Sequence, residues 1–159
     1  MFKNCSQDIE EEIQRGFATV KAMNRFSHSV DELFATLSVV DVLNLVVTIA
    51  GYLSYASKIK MNIPENSDVV VSTCPFRLQH LIYQALVFAF KKTGPEGEIQ
   101  LSVVPNEADG LRIVFSNLGD SAEVVFPVEE MMTISQSIHC KVSVADDFQS
   151  FEIIVPKEI

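Results

Sequence analysis

Basic side chains are scarce in this sequence: 12 lysines and arginines stand against 21 aspartates and glutamates, so the net charge is −9. Acidic clusters at Glu10-Glu11-Glu12, Glu129-Glu130 and Asp146-Asp147 add local negative potential. A phosphate backbone or an anionic bilayer would be repelled, so neither nucleic acid nor membrane is an expected partner. Glycine is also sparse, with six residues and no glycine-rich loop opening a helix, so no phosphate cradle is visible. The three cysteines, Cys5, Cys74 and Cys140, are odd in number and widely spaced, without Cys-x-x-Cys or Cys/His ligand spacing. Buried thiols in a reducing compartment fit them better than a disulfide framework or a zinc site. The one long apolar stretch, Val39 to Ala56, carries Asp41 and Asn44 and falls short of a membrane span. The first 15 residues show no basic-then-apolar signal pattern, and a cytoplasmic protein is expected.

What is present suffices for a core: 48% of residues are apolar and 21% charged in a chain of 159. That supports one domain, or a small domain with an appendage. From Ile9 the apolar residues step by three and four through Ile13, Phe17, Val20, Met23, Phe26 or Ser27, Val30 and Phe34 to Leu37. This is the seam of one long helix that must pair with a second copy of the chain or lie on the following domain, and steps near 3.5 favour the supercoiled copy. Glu10-Glu11-Glu12 is expected as a solvated first turn favourable to the helix dipole. Between Asp41 and Lys58 the pattern inverts, with Asp41, Asn44, Thr48, Gly51, Tyr55 and Lys58 as a polar stripe on an otherwise buried helix.

Two short strands should follow, Lys58 to Ile63 and the β-branched run Val69-Val70-Val71, separated by a turn at Pro64-Glu65-Asn66-Ser67. Thr73-Cys74-Pro75 starts a helix that Thr93-Gly94-Pro95 stops, burying Phe76, Leu81, Ile82, Ala85, Leu86, Ala89 and Phe90. Ile99, Leu101 and Val103, then Leu111, Ile113 and Phe115, alternate around a turn at Asn106 to Gly110 and read as a hairpin. A helix over Val128 to Ile138 and a second hairpin, Val142 to Val144 with Phe151 to Val155, end the chain. The expected class is α+β, a sandwich with helices on one face of a mostly antiparallel sheet.

This order, with several local strings, resembles the C-terminal part of bacterial sensor histidine kinases. Arg25-Phe26-Ser27-His28 looks like the end of the second dimerisation helix, and Val40-Asp41-Val42 through Ala56 like the opening helix of the ATP-binding domain. Arg77-Leu78-Gln79 through Thr93 is similar to the asparagine-box helix, including Ala89, Lys91 and Thr93. Leu111 to Asp120 sits where the strand and first glycine box belong, and Thr133 to Pro156 looks like the closing helix and hairpin. The resemblance implies a helical dimerisation segment over 1–37 and a histidine-kinase-like ATPase domain over 38–159.

Against that family the nucleotide motifs are degenerate. The two asparagines of the box, the second a magnesium ligand, correspond to Gln84 and Phe88, and a phenyl ring has no oxygen for a hard cation. The aspartate that reads adenine appears as Asn117; of the two following glycines Gly119 survives and the second is Ser121. Few residues separate Ser121 from the closing helix, so a second glycine-rich segment and a phosphate lid have no sequence to form them. Phe88 is expected to fill the nucleotide cavity, and no cofactor or metal is expected.

His28 is the sharpest candidate for chemistry. It should face solvent near the helix end with Asp31 at i+3 and Glu32 at i+4, as a phospho-accepting imidazole oriented by a carboxylate requires. The bland alternative is a solvated surface histidine, and this helix matches the second dimerisation helix rather than the histidine-bearing first. His80 and His139 read as structural, and no nucleophile elbow is present. The expected protein is a cytoplasmic homodimer that works by contact with a response-regulator receiver domain or a sensor kinase. A phosphotransferase acting through His28 is one version of it. An active ATP-binding kinase of the histidine-kinase or anti-sigma type is the alternative.

Overall fold

The computed structural model describes residues 2–51, 58–62, 69–94, 97–106, 110–119, 128–146 and 149–158. Their elements, in chain order, are α1 (Phe2–His28), β1 (Ala35–Ser38), α2 (Val39–Gly51), β2 (Lys58–Asn62), β3 (Val70–Thr73), α3 (Pro75–Thr93), β4 (Glu98–Pro105), β5 (Leu111–Ser116), α4 (Val128–Ser137), β6 (Lys141–Val144) and β7 (Phe151–Val155). This is the expected α+β order with one strand, β1, added. Strict alternation in β4, β5 and β7 buries one face of each, and the two hairpins supply four of the five strands of a sheet ordered β2-β4-β5-β7-β6, with β6 at its edge. Register aligns Ile113 with Val103 on one side and Ile153 on the other, and Phe115 with Leu101 and Phe151. All six of these residues are buried beneath the helices. The pair β2–β4 is parallel, because the chain between them crosses over through β3 and α3 before returning.

α2 buries Val39, Val42, Leu43, Val46 and Ala50 and exposes Asp41, Asn44 and Gly51, as its polar stripe demands. Its expected extension over 52–57 lies outside the described residues, and Lys58 already belongs to β2. The turn at 64–67 lies outside them too. α3 starts after extended Cys74 with Pro75 in its first turn, and stops at Gly94, whose positive φ of 77° lets its N–H reach the Phe90 carbonyl at 2.9 Å. It buries Leu78, Leu81, Ile82, Ala85, Leu86 and Ala89; Phe76 and Phe90, expected inside, are half-buried. Phe76 instead turns its ring to Phe26 of α1, with centroids 5.5 Å apart.

The long helix departs from its seam in three respects. It begins at Phe2, so Glu10, Glu11 and Glu12 lie beyond the first turn, where the dipole no longer favours them, and they are exposed, Glu12 pairing with Arg15. It ends at His28 rather than Leu37. There the N–H of Ser29 reaches the carbonyls of Arg25 and Phe26, and the Ser29 hydroxyl donates to Phe26 at 2.6 Å. Residues Ala35 to Ser38 instead pair antiparallel with β3, and backbone pairing to a distant partner overrides the helical period. Ser38 then caps α2 by accepting the N–H of Asp41 at 3.3 Å.

The third departure is that α1 has two faces. Ile9, Ile13, Phe17, Val20 and Met23 are each more than half exposed, whereas Ala22 and Ser29 are buried and Phe26 is half-buried. At about 100° per residue the two stripes lie roughly 150° apart. Phe26 therefore belongs to the face on the sandwich, and Ser27 takes its place in the seam. No described helix is long and apolar enough to cross a membrane.

The expectation of buried thiols fails for Cys5, which is exposed; Cys74 is half-buried and Cys140 buried. Burial pushes the Cys140 thiol up to about 12 from 9.0. At pH 8 a thiol reagent is expected to modify Cys5 quickly and Cys140 only on unfolding. Between pH 9 and 12 the unfolded chain loses the Cys140 proton while the folded chain keeps it. Cys140 thus contributes stability that is complete below pH 9 and declines as pH rises, by up to about 1.4 kcal/mol per unit. Urea unfolding of the wild type and Cys140→Ala across that range isolates the slope.

Candidate functional site

The helical spacing of α3 sets Gln84, Phe88 and Lys91 along one side, but burial separates them. Lys91 is exposed. Gln84 is half-buried and its amide nitrogen donates to Nε2 of His80 at 3.2 Å. Phe88 is 6% exposed and belongs to the central core, meeting Phe151 edge-on at 5.5 Å. Phe151 in turn stacks on Phe115 at 4.5 Å with the rings 8° from parallel, so three aromatic rings run from α3 through β7 to β5.

The segment after β5 is held against the end of α3. Asn117 adopts the left-handed conformation with φ 62°, which asparagine tolerates well, and its Nδ2 donates to the Glu98 carbonyl at 2.6 Å. Leu118 is buried, and its N–H reaches the Gln149 carbonyl at 3.1 Å. A Cβ on Gly119 would stand 2.8 Å from the Lys92 carbonyl oxygen and 3.3 Å from the Thr93 Cα. Close backbone approach therefore requires glycine here with no ligand involved. Ser121 lies outside the described residues.

Phe88 does not suit a magnesium ion. Magnesium takes oxygen ligands in near-octahedral geometry, and the Phe88 position supplies hydrocarbon packed within the core. The nitrogen of Gln84 is bonded to His80, and that of Asn117 is spent on the backbone of β4. Among the described residues no group of three or more His, Cys, Asp or Glu side chains could hold a metal.

His28 stands apart, on the last residue of α1, with its side chain 73% exposed. Its Nδ1 lies 3.6 Å from Oδ2 of Asp31, so the carboxylate expected at i+3 is in place. His139 is exposed with φ 51°, closing the turn after α4, and His80 sits between Phe76, at 5.8 Å, and Gln84. The run Phe26, Phe76, His80, Gln84 links the end of α1 to the asparagine-box position. Sequence spacing shows its second half, since residues 76, 80 and 84 recur at i+4. It holds no sign that Phe26 joins them.

No protein-family model matches the chain, and no curated protein matches it by sequence. Solved structures do. The histidine kinase ThkA, in a crystal structure with the response regulator protein TrrA, superposes with TM-score 0.62 at 16% identity over 99% of this chain and 52% of that one. The Acinetobacter baumannii histidine kinase AdeS gives TM-score 0.59 at 10% identity, covering 98% of this chain and 83% of that chain. The ATP binding domain of PrrB from Mycobacterium tuberculosis gives 0.59 at 16%, covering 79% of this chain and 98% of that chain. Identity this low speaks to architecture alone. In both longer matches nearly the whole chain is covered, α1 included, and the architecture is thus the histidine-kinase-like ATPase fold preceded by a long helix.

Proposed function

We propose that this chain is a signalling protein of the histidine-kinase-like ATPase fold that has lost nucleotide chemistry and acts by contact, docking a receiver domain or a sensor kinase. The observation that carries the reading is the place of Phe88: a magnesium-ligand position in the resembled family is here a core ring packed on Phe151. ThkA, a kinase of this fold, is seen in complex with a response regulator, which supports a receiver as the partner. The proposed division is a dimerisation segment over 1–37 and a degenerate ATPase-like domain over 38–159. Strand β1 straddles that boundary, and its pairing with β3 ties the two parts together. The exposed stripe from Ile9 to Met23 supports α1 as the homodimer contact.

The exposure of His28 and the nearness of Asp31 favour a second version, phosphotransfer. With Asp31 beside Nδ1, Nε2 is the nucleophile. It attacks the phosphorus of a receiver aspartyl-phosphate, an N–P bond forms as the aspartyl O–P bond breaks, and the carboxylate leaves. Two measurements test the proposal. Titration with labelled ATP and magnesium is expected to show a Kd weaker than about 1 mM; tighter binding overturns the reading in favour of an ATP-using kinase. Incubation with a phosphorylated receiver is expected to label the wild type and not His28→Ala. Receiver binding without label, intact in His28→Ala, sinks the phosphotransfer version and leaves docking.

A further inference from the structure

Charge is divided along α1. Residues 2–14 hold Lys3 against Asp8, Glu10, Glu11 and Glu12, so 1 − 4 = −3, whereas residues 15–28 hold Arg15, Lys21 and Arg25 and no acid, a charge of +3. Two copies laid side by side in the same direction set acid against acid and base against base. Laid in opposite directions, they set each half against its complement. Packed helices lie about 8–10 Å apart, within the screening length of about 10 Å at 0.1 M salt, so the difference is felt.

Single residues beside the exposed stripe sharpen this. Lys21 follows Glu10 by eleven positions, so at about 100° per residue the two fall roughly 20° apart, on one flank of the stripe, and Glu12 falls on the other. Glu10 and Lys21 are exposed, and among the described residues neither has an ion-pair partner. In a helix pair running in opposite directions, equivalent flanks face each other, and Glu10 meets the partner's Lys21. In the same direction opposite flanks meet, and Glu10 stands near the partner's Glu12.

Gly16 is a separate observation. The stripe from Ile9 to Met23 has its midpoint at residue 16, and Glu10 and Lys21 are centred between Arg15 and Gly16, on the same point. A Cβ on Gly16 would meet nothing within 4 Å, so the chain's own packing does not call for glycine there, and a helix interior disfavours it. At a crossing point the missing side chain makes room for a ring such as Phe17, which is 74% exposed. We infer that two copies of this chain pair antiparallel along α1 and cross at Gly16, with each Phe17 over the partner's Gly16 and each Glu10 against the partner's Lys21. This direction rests on the homodimer proposed above. It sets the two His28 residues roughly 36 Å apart along the axis, at about 1.5 Å per residue, so each copy meets its receiver separately.

Disulfide trapping tests it in full-length chains carrying Cys5→Ser and one further substitution, Ile9→Cys or Met23→Cys. Mixed and oxidised, the two chains are expected to link through those positions, as read by mass spectrometry of the joined peptides, while neither links to itself. Charge reversal is the second readout. Glu10→Lys and Lys21→Glu are each expected to weaken dimerisation about fivefold or more, and their combination to restore it. In parallel copies each single reversal removes repulsion and strengthens pairing instead. Self-linking of Ile9→Cys, or no mixed link in a chain that scatters as a dimer, overturns the antiparallel direction and keeps the dimer. Strengthening by either single reversal does the same. A wild type that scatters as a monomer removes the dimer and its direction together.

Discussion

Phe151→Ala is expected to lower the unfolding free energy by about 3–5 kcal/mol, a large fraction of the ~5–15 kcal/mol available to a domain of this kind. Phe151 is 2% exposed at the start of β7, a strand paired on both sides, with β5 and with β6. It touches both other rings of the aromatic run, face-to-face with Phe115 and edge-on to Phe88. Ladder hydrogen bonds on either side hold β7 in place, so the space left by the ring cannot close and the cavity contribution is retained. Phe88→Leu keeps most of the volume and is expected to cost less than about 1.5 kcal/mol. Phe88→Asn buries an unpaired amide at a core position, and it should destabilise without conferring magnesium binding. Urea denaturation of these variants measures the effects. A loss below about 1 kcal/mol for Phe151→Ala would mean that the aromatic run does not centre the core.

Replacing Phe17 by aspartate is expected to halve the solution mass, from a dimer to a single chain, as read by light scattering. The exposed α1 stripe carries five large apolar side chains with no cover in a single chain, and each is worth about 1.5–3 kcal/mol when fully buried. A charge in the middle of that seam must be desolvated for the helices to pair. The opposite face predicts the contrary behaviour. Ala22→Asp buries a charge against the sandwich and should destabilise the fold through the α1–α2 contact, whereas Phe17→Asp at a 74% exposed site should leave the isolated sandwich intact. A full-length wild type that scatters as a monomer would remove the dimer.

Local pattern carried much of this architecture. Period-two alternation named both hairpins, because each strand's inward face is written in its own residues and its partner follows within a short turn. Pro75 and Gly94 marked the ends of α3 for a similarly local reason, fixed φ at one end and a left-handed carbonyl closure at the other. That Phe88 offers no oxygen to a cation was legible as chemistry, since residue type alone decides it.

Other features depend on partners far along the chain. Ala35 to Ser38 is too short to display a period of its own, and it is a strand because β3 lies opposite, with Ala35 against Thr73. The seam of α1 was read as one continuous stripe, yet Phe26 turns to Phe76 and only packing distinguishes the two faces. The committed amide of Asn117 is not written in spacing, because hydrogen bonding is settled by what the fold brings alongside. By itself the sequence determined the α+β class, the hairpins, the ends of α3 and the acidic balance, all of them properties of residue type and short-range periodicity. Tertiary structure alone decided where α1 ends, that β2 runs parallel to β4, and which face of α1 lies on the sandwich, since each requires segments distant in sequence to meet in space.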